Sequence, residues 1–249
     1  MNFDRPRLRR WLTERAVVVL SLAVDPISTA ESAEWYASLN PVERQRAQSF
    51  YFESDRQAYV TAHALLRHSL SAVIPCDPVD WRFVTGPFGK LQLADPPSGF
   101  GLRFNLSHCR TRVAVALALD VEVGVDVEAL DRTTRIDPAI ADAYFAPDEA
   151  AALRAMSDET RRREQFLRLW TLKEACIKAT GRGLSQSLDG FSVDPDRLSV
   201  RSQSLPMTNW RLAQWRVAEH LVAVAADWPG REPPVFVHCP LSTARSDDQ

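Results

Sequence analysis

Gly124-Val125-Asp126-Val127-Glu128 is the stretch from which the rest of this chain is read. Its alternation of apolar and acidic residues has the period of a strand, whose successive side chains point to opposite faces. Asp126 and Glu128 therefore share one face, while Val125 and Val127 need cover on the other. Two ionised carboxylates this close repel each other unless a cation lies between them. All-oxygen ligands suit Mg²⁺, which keeps several waters and shares phosphate oxygens with a substrate. Taken alone, the short pattern also fits a strand end with two solvated acids.

The strand has a counterpart earlier in the chain. The apolar run 16–24 maps onto 122–130 at an offset of 106 residues. At the same offset Asn40-Pro41-Val42-Glu43 falls on Ala146-Pro147-Asp148-Glu149, and Leu66-Arg67 on Leu172-Lys173. Phe104 and Leu106 fall on Trp210 and Leu212, with no gap introduced. Both Pro41 and Pro147 read as first helical residues, with glutamate in the first turn. The chain thus reads as one α+β unit written twice: a strand, a short helix, a long helix, then strands. Helices are expected over 41–48, 55–73, 147–156 and 159–180, with Gly181 as a C-terminal cap. Strands are expected over 81–84, 91–93, 102–106, 112–119, 190–194, 209–216, 219–226 and 234–238. Two similar halves should pack about a pseudo-twofold axis, with a ligand site between them.

The long second helix carries Trp170-Thr171-Leu172-Lys173-Glu174-Ala175-Cys176-Ile177-Lys178-Ala179. Glu174 and Lys178 are four apart and so are surface neighbours. They could form a plain ion pair on a wet face, but Trp170 and Ile177 share the same stripe and need burial. Phe104-Asn105-Leu106-Ser107-His108 closes a strand with a hydroxyl and an imidazole able to donate to phosphate. Gly86-Pro87-Phe88-Gly89-Lys90 reads as a hairpin loop presenting Lys90. In the first copy the acids are missing. Leu20-Ser21-Leu22 stands where Asp126 and Glu128 stand, and His68 where Glu174 stands. The halves have divided the labour.

Composition narrows the partners. A net charge of −2 gives no general case for nucleic acid or membrane binding. Cys76, Cys109, Cys176 and Cys239 form no CxxC pair, which argues against zinc and for reduced thiols in the cytosol. The arginines at 5, 7, 9, 10 and 15 before the apolar run imitate a signal peptide. The run is short, Asp4 and Glu14 dilute the basic stretch, and no cleavage site follows, so a buried first strand is expected.

Gly89-Lys90, the Phe104–His108 stretch, Gly124–Glu128 and Trp170–Ala179, in this order, resemble the motifs of an Sfp-type 4′-phosphopantetheinyl transferase. The resemblance implies a pseudodimer of two α+β halves. Residues 1–121 would carry contacts to coenzyme A and 122–241 the metal and catalytic residues; the polar residues 242–249 read as a disordered tail. The resemblance also implies Mg²⁺-dependent (or Mn²⁺-dependent) transfer of the phosphopantetheine arm of coenzyme A to a carrier-protein serine, releasing adenosine 3′,5′-bisphosphate. Asp126, Glu128 and Glu174 match the metal ligands. Glu174 also matches the base, and Lys178 the pyrophosphate contact. Lys173 matches a further phosphate contact, Lys90, Ser107 and His108 the surroundings of the 3′-phosphate, and Arg56 and His63 basic contacts to coenzyme A. The partners implied are acyl or peptidyl carrier domains, for a cytoplasmic monomer. Arg110 and the run Arg161–Arg163 either add to such contacts or face solvent. Two other readings share the residues: a Mg²⁺-dependent nucleotide or pyrophosphate hydrolase, and a non-catalytic carrier-binding subunit.

Overall fold

Strand β1 (Val17–Ala23) is apolar on both faces because it is covered on both. Val18, Leu20 and Leu22 point into a core beneath the helices of the first half, whereas Val17 and Val19 enter a second core shared with another sheet. The computed structural model describes residues 3–24, 29–96, 100–130, 138–202 and 204–241.

Around β1 the first half assembles α1 (Arg5–Thr13), α2 (Thr29–Ser38), α3 (Pro41–Gln48) and α4 (Glu53–Val73). The small hairpin β2 (Phe83–Thr85)–β3 (Leu91–Leu93) follows, then β4 (Leu102–His108) and β5 (Arg112–Leu119). The second half runs β6 (Val123–Ala129), α5 (Pro138–Tyr144), α6 (Pro147–Ala155) and α7 (Glu159–Thr180). Hairpin β7 (Phe191–Asp194)–β8 (Ser199–Ser202) leads to β9 (Trp210–Val217), β10 (His220–Asp227) and β11 (Phe236–Leu241). The larger sheets have the orders β11-β1-β5-β4 and β6-β10-β9. The architecture is α+β, as expected.

Element starts repeat at the offset read from sequence: Val17 and Val123, Pro41 and Pro147, Glu53 and Glu159. Asn40 caps α3 through Glu43 N, and Glu43 returns a bond to Asn40 N, the reciprocal capping box. Glu149 makes the same return to Ala146 N at 3.0 Å. The ungapped mapping fails further on. Val18 pairs with Leu117 but Gly124 with Ala225, so β5 corresponds to β10 at an offset of 108. Phe104 therefore corresponds to Leu212, not Trp210. Part of the slip is one extra residue in α7.

Helices α2 and α5 and strand β8 are not expected from the sequence, and two further segments depart from its reading. The strand expected near 234–238 forms at Phe236–Leu241, but pairs in parallel with β1 of the first half. The arginine-rich start is helix α1, capped by Asp4 and anchored by buried Leu8 and Leu12. Its Arg9 donates to Ala72 O and Val73 O at 3.1 and 2.9 Å, satisfying carbonyls at the end of α4. Among the described residues no helix is long and apolar enough to cross a membrane. The tail 242–249 lies outside the described residues.

Candidate active site

Strand β6 builds the site through its alternation. Val123, Val125 and Val127 fill the core between the two large sheets. Asp126 and Glu128 take the other face, against α7. Helix α7 comes unusually close here because Gly124 has no side chain. A Cβ at Gly124 would lie 2.1 Å from Ala175 O and 2.3 Å from Ala179 N. Glycine thus lets the backbone of α7 lie on the strand and carries Lys178 to Asp126. The first half has Val18 at the corresponding place.

Strand β4 supplies the second wall. It is not in the same sheet as β6, and side chains bridge the two. Asn105 Oδ1 accepts from Val125 N at 2.9 Å, and Ser107 Oγ donates to Asp126 Oδ1 at 2.9 Å. Lys178 Nζ completes the group, 2.6 Å from Asp126 Oδ1 and 2.8 Å from Ser107 Oγ. An ammonium has three donors, so one remains for another acceptor. Asn105 had no role in the sequence reading. Its signal was an amide in an otherwise apolar strand stretch, in a motif quoted for Ser107 and His108.

Asp126 is buried, and its Oδ2 has no hydrogen-bond partner. Burial, then the charge of Asp126, pushes the Glu128 carboxyl up to about 7; Lys178 and the Trp170 indole act in the other direction. Burial, and again Asp126, raises Glu174. An orphaned buried oxygen beside two acids whose ionisation is opposed by burial and by Asp126 is what a hard cation would relieve. Among the described residues no three His, Cys, Asp or Glu side chains are placed so that together they could hold a metal ion. The carboxyl oxygens of Asp126, Glu128 and Glu174 are the donor type a hard cation takes, and water and phosphate oxygens would have to complete its shell.

The other expected residues have varied places. His63, on the inner face of α4, gives Nδ1 to Glu43 Oε1 at 2.9 Å, and its ring lies against Tyr59. His108 ends β4 with its side chain exposed, and partial desolvation, then His63 and Lys178, lower its pKa. Arg56 stays on the surface of α4, paired with Glu53 at 2.6 Å. Lys90 spends its ammonium on Glu122 Oε2, Val123 O and Ala179 O at 2.8, 3.1 and 3.0 Å. A cleft of about 290 Å³ lies beside it, lined by Phe88, Lys90, Phe104, Asn105 and Lys178 among others.

Lys173 does not reach the cleft. It is fully buried on the far side of α7, 2.6 Å from Glu149 and bonded to Phe191 O, with its ammonium over the Phe191 ring. The expected phosphate contact is therefore corrected: adjacent residues on a helix point about 100° apart, and Glu174 and Lys173 face different surroundings. Arg67, the counterpart of Lys173, is buried against Glu43 in the first half.

Comparison with known proteins gives the family of the chain. The family profile of the 4′-phosphopantetheinyl transferase superfamily matches residues 122–227. The chain is 32% identical over 168 residues to the 4′-phosphopantetheinyl transferase Sfp of Bacillus subtilis, covering 68% of this chain and 71% of that protein. It is 34% identical over 150 residues to the 4′-phosphopantetheinyl transferase HetI of a Nostoc species, covering 60% and 62%. A phosphopantetheinyl transferase of Thraustochytrium is 29% identical over 215 residues, 80% of this chain and 73% of that protein. The chain belongs to the 4′-phosphopantetheinyl transferase family.

Proposed function

We propose that this protein moves the 4′-phosphopantetheine arm of coenzyme A onto the serine hydroxyl of a carrier-protein domain. The observation that carries the reading is the convergence of Asp126, Glu128, Glu174, Ser107 and Lys178 where β4, β6 and α7 meet, in a chain of this family. Serine Oγ bonds to the phosphorus bearing the pantetheine arm. The bond from that phosphorus to the bridging pyrophosphate oxygen breaks, and adenosine 3′,5′-bisphosphate leaves with the electron pair. The serine proton passes to Glu174, directly or through a water. Burial raises this carboxyl towards the pH at which a base works best.

Lys178 is fixed by Asp126 and Ser107 and turns its remaining N–H to a pyrophosphate oxygen, where charge grows as the bond breaks. Asp126, Glu128 and Glu174 would hold Mg²⁺ or Mn²⁺, which when bound supplies charge neutralisation to the phosphate oxygens. We assign His108, exposed at the end of β4, to the donor's phosphates, whereas His63 lies buried against Glu43 and Tyr59. We assign the donor contacts to residues 1–121 and the chemistry to residues 122–235, with 236–241 returned to the first half as β11. The two units are a pseudodimer, so one chain suffices as a monomer. Unpaired Cys76, Cys109, Cys176 and Cys239 suit a reducing cytoplasm.

Mass spectrometry of an apo carrier domain incubated with coenzyme A, Mg²⁺ and the protein tests the reading. Wild type adds one phosphopantetheine, and Glu174→Gln adds almost none while remaining folded. Full modification by Glu174→Gln removes the base assignment. Release of phosphopantetheine without any carrier would make the protein a hydrolase instead.

A further inference from the structure

We infer that Lys90 is a latch between the two halves, a positioning residue that holds the Gly86–Lys90 turn over the donor cleft and does not bind the donor's phosphate. The inference rests on the proposed function for its choice of ligand, but its geometry stands independently. The turn closes through Gly86 N to Lys90 O and Gly89 N to Gly86 O, at 2.9 and 3.0 Å, with Gly89 at φ 92°. Lys90 then leaves the first half altogether. Its side chain is 9% exposed, and its Nζ meets three oxygens of the second half.

Each of the three partners has a structural meaning. Val123 O opens β6, three residues before Asp126. Ala179 O belongs to the last turn of α7, next to Lys178, where a cation meets the negative end of the helix and a carbonyl without a helical partner. Glu122 supplies the counter-charge and also holds Arg103 of β4 at 2.9 Å. Three acceptors use all the donors of an ammonium, leaving none for a ligand phosphate. The fit is close on the far side as well: Gly181 lies under the Lys90 stem, where a Cβ would be 3.2 Å from Lys90 Cδ. A Cβ on Gly183 would be 3.0 Å from Phe88 O. The turn, the end of α7 and the start of β6 are thus tied at one point, and Phe88 and Lys178 line the cleft from its two sides.

A phosphate ligand and a latch give opposite results when Glu122 is neutralised. If Lys90 served the 3′-phosphate, Glu122→Gln would free it, and coenzyme A would bind as well or better. A latch instead loosens, and both Lys90→Met and Glu122→Gln weaken coenzyme A and dephospho-coenzyme A alike, by roughly tenfold in Kd or KM, with kcat nearly kept. Calorimetry with each donor gives the affinities, and transfer to a carrier domain gives the split between KM and kcat. A melting cycle on the same variants reads the latch without any substrate. The Lys90→Met/Glu122→Gln double variant should lose clearly less than the two single variants summed, because the contact between the two residues is counted in both. Loss confined to coenzyme A, tighter binding by Glu122→Gln, or additive melting effects would overturn the latch. A wild type that binds neither donor would count against the proposed function, while the melting cycle still decides the latch.

Discussion

Lys173 and Glu149 meet at 2.6 Å in the interior of the second half, at positions 106 residues beyond Arg67 and Glu43, which meet at 2.8 Å in the first. In each half a glutamate in the first turn of the short helix receives a cation from the long helix. The cation goes on to a backbone carbonyl of the next segment: Pro78 O and Trp81 O for Arg67, Phe191 O for Lys173. The pair clamps short helix, long helix and the following segment together. Burying a lysine lowers its pKa, and Glu149 acts against that shift. The clamp is an internal fastening that leaves the other side of α7 free for Glu174 and Lys178.

Removing one member should therefore cost more than removing both. Lys173→Met leaves Glu149 buried without its counter-charge, a loss of about 3–5 kcal/mol. The Lys173→Met/Glu149→Gln double variant should regain much of it. Urea melts check the stabilities. The KM for coenzyme A of the folded double variant should stay within about twofold of wild type, since no substrate contact has been removed. A much larger rise would restore Lys173 to the donor site.

Gly124 invites a second substitution. The added methyl of Gly124→Ala would sit within 2.1 Å of Ala175 O, which is backbone and cannot rotate away. Helix α7 must retreat from β6, at a cost of about 3 kcal/mol or more. Since Lys178 rides on that helix, transfer should fall by roughly a hundredfold even where the variant folds. A variant with wild-type melting and wild-type transfer would mean the helix does not need this approach.

These two cases show what the sequence makes legible. Strand alternation at Val123–Glu128 and helix starts at Pro41 and Pro147 depend on neighbours in the chain, and those elements are found where periodicity places them. The face shared by Asp126 and Glu128 is legible for the same reason. The fates of Lys90 and Lys173 are not, because a lysine in a motif does not reveal which oxygens surround it in space. Nor is the parallel pairing of β11 with β1, a contact between opposite ends of the chain. The first-half helix α1 was hidden by its arginines, although Leu8 and Leu12 have helical spacing and are both buried.

Strand β11 brings a histidine into that long-range junction, and with it a pH dependence of stability. His238 Nε2 lies 2.9 Å from Ser21 Oγ, and its ring stacks on Trp215 with centroids 5.1 Å apart. Burial, then the charge of Arg112, lowers its pKa to about 4. The folded protein thus favours the neutral ring, while an unfolded chain takes up the proton near 6.5. The stabilisation is present above pH 6.5 and is lost as pH falls towards 4, by about 1–2 kcal/mol after discounting for the partly exposed ring. Melting between pH 7 and 4.5 should be flatter for His238→Gln than for wild type. Parallel curves would remove His238 as a source of acid sensitivity.

The carboxylates of the candidate site shift in the opposite sense. Glu128, at about 7, and Glu174, also raised, hold protons more strongly in the folded, metal-free protein than in an unfolded chain. Their contribution favours folding below the ordinary carboxylate range, and that of Glu128 is lost as pH rises through about 7. A divalent cation reverses the balance, because it needs both groups ionised and competes with the protons they favour. Mg²⁺ should therefore bind several-fold more tightly at pH 8 than at pH 6, as each tenfold in affinity corresponds to about 1.4 kcal/mol. At pH 6.5 binding should release protons. Calorimetry in two buffers of different ionisation enthalpy counts those protons directly. Asp126→Asn, which removes the charge both acids feel, should reduce the number released and weaken the cation together. Proton-free binding with no pH dependence would place the cation away from Glu128 and Glu174.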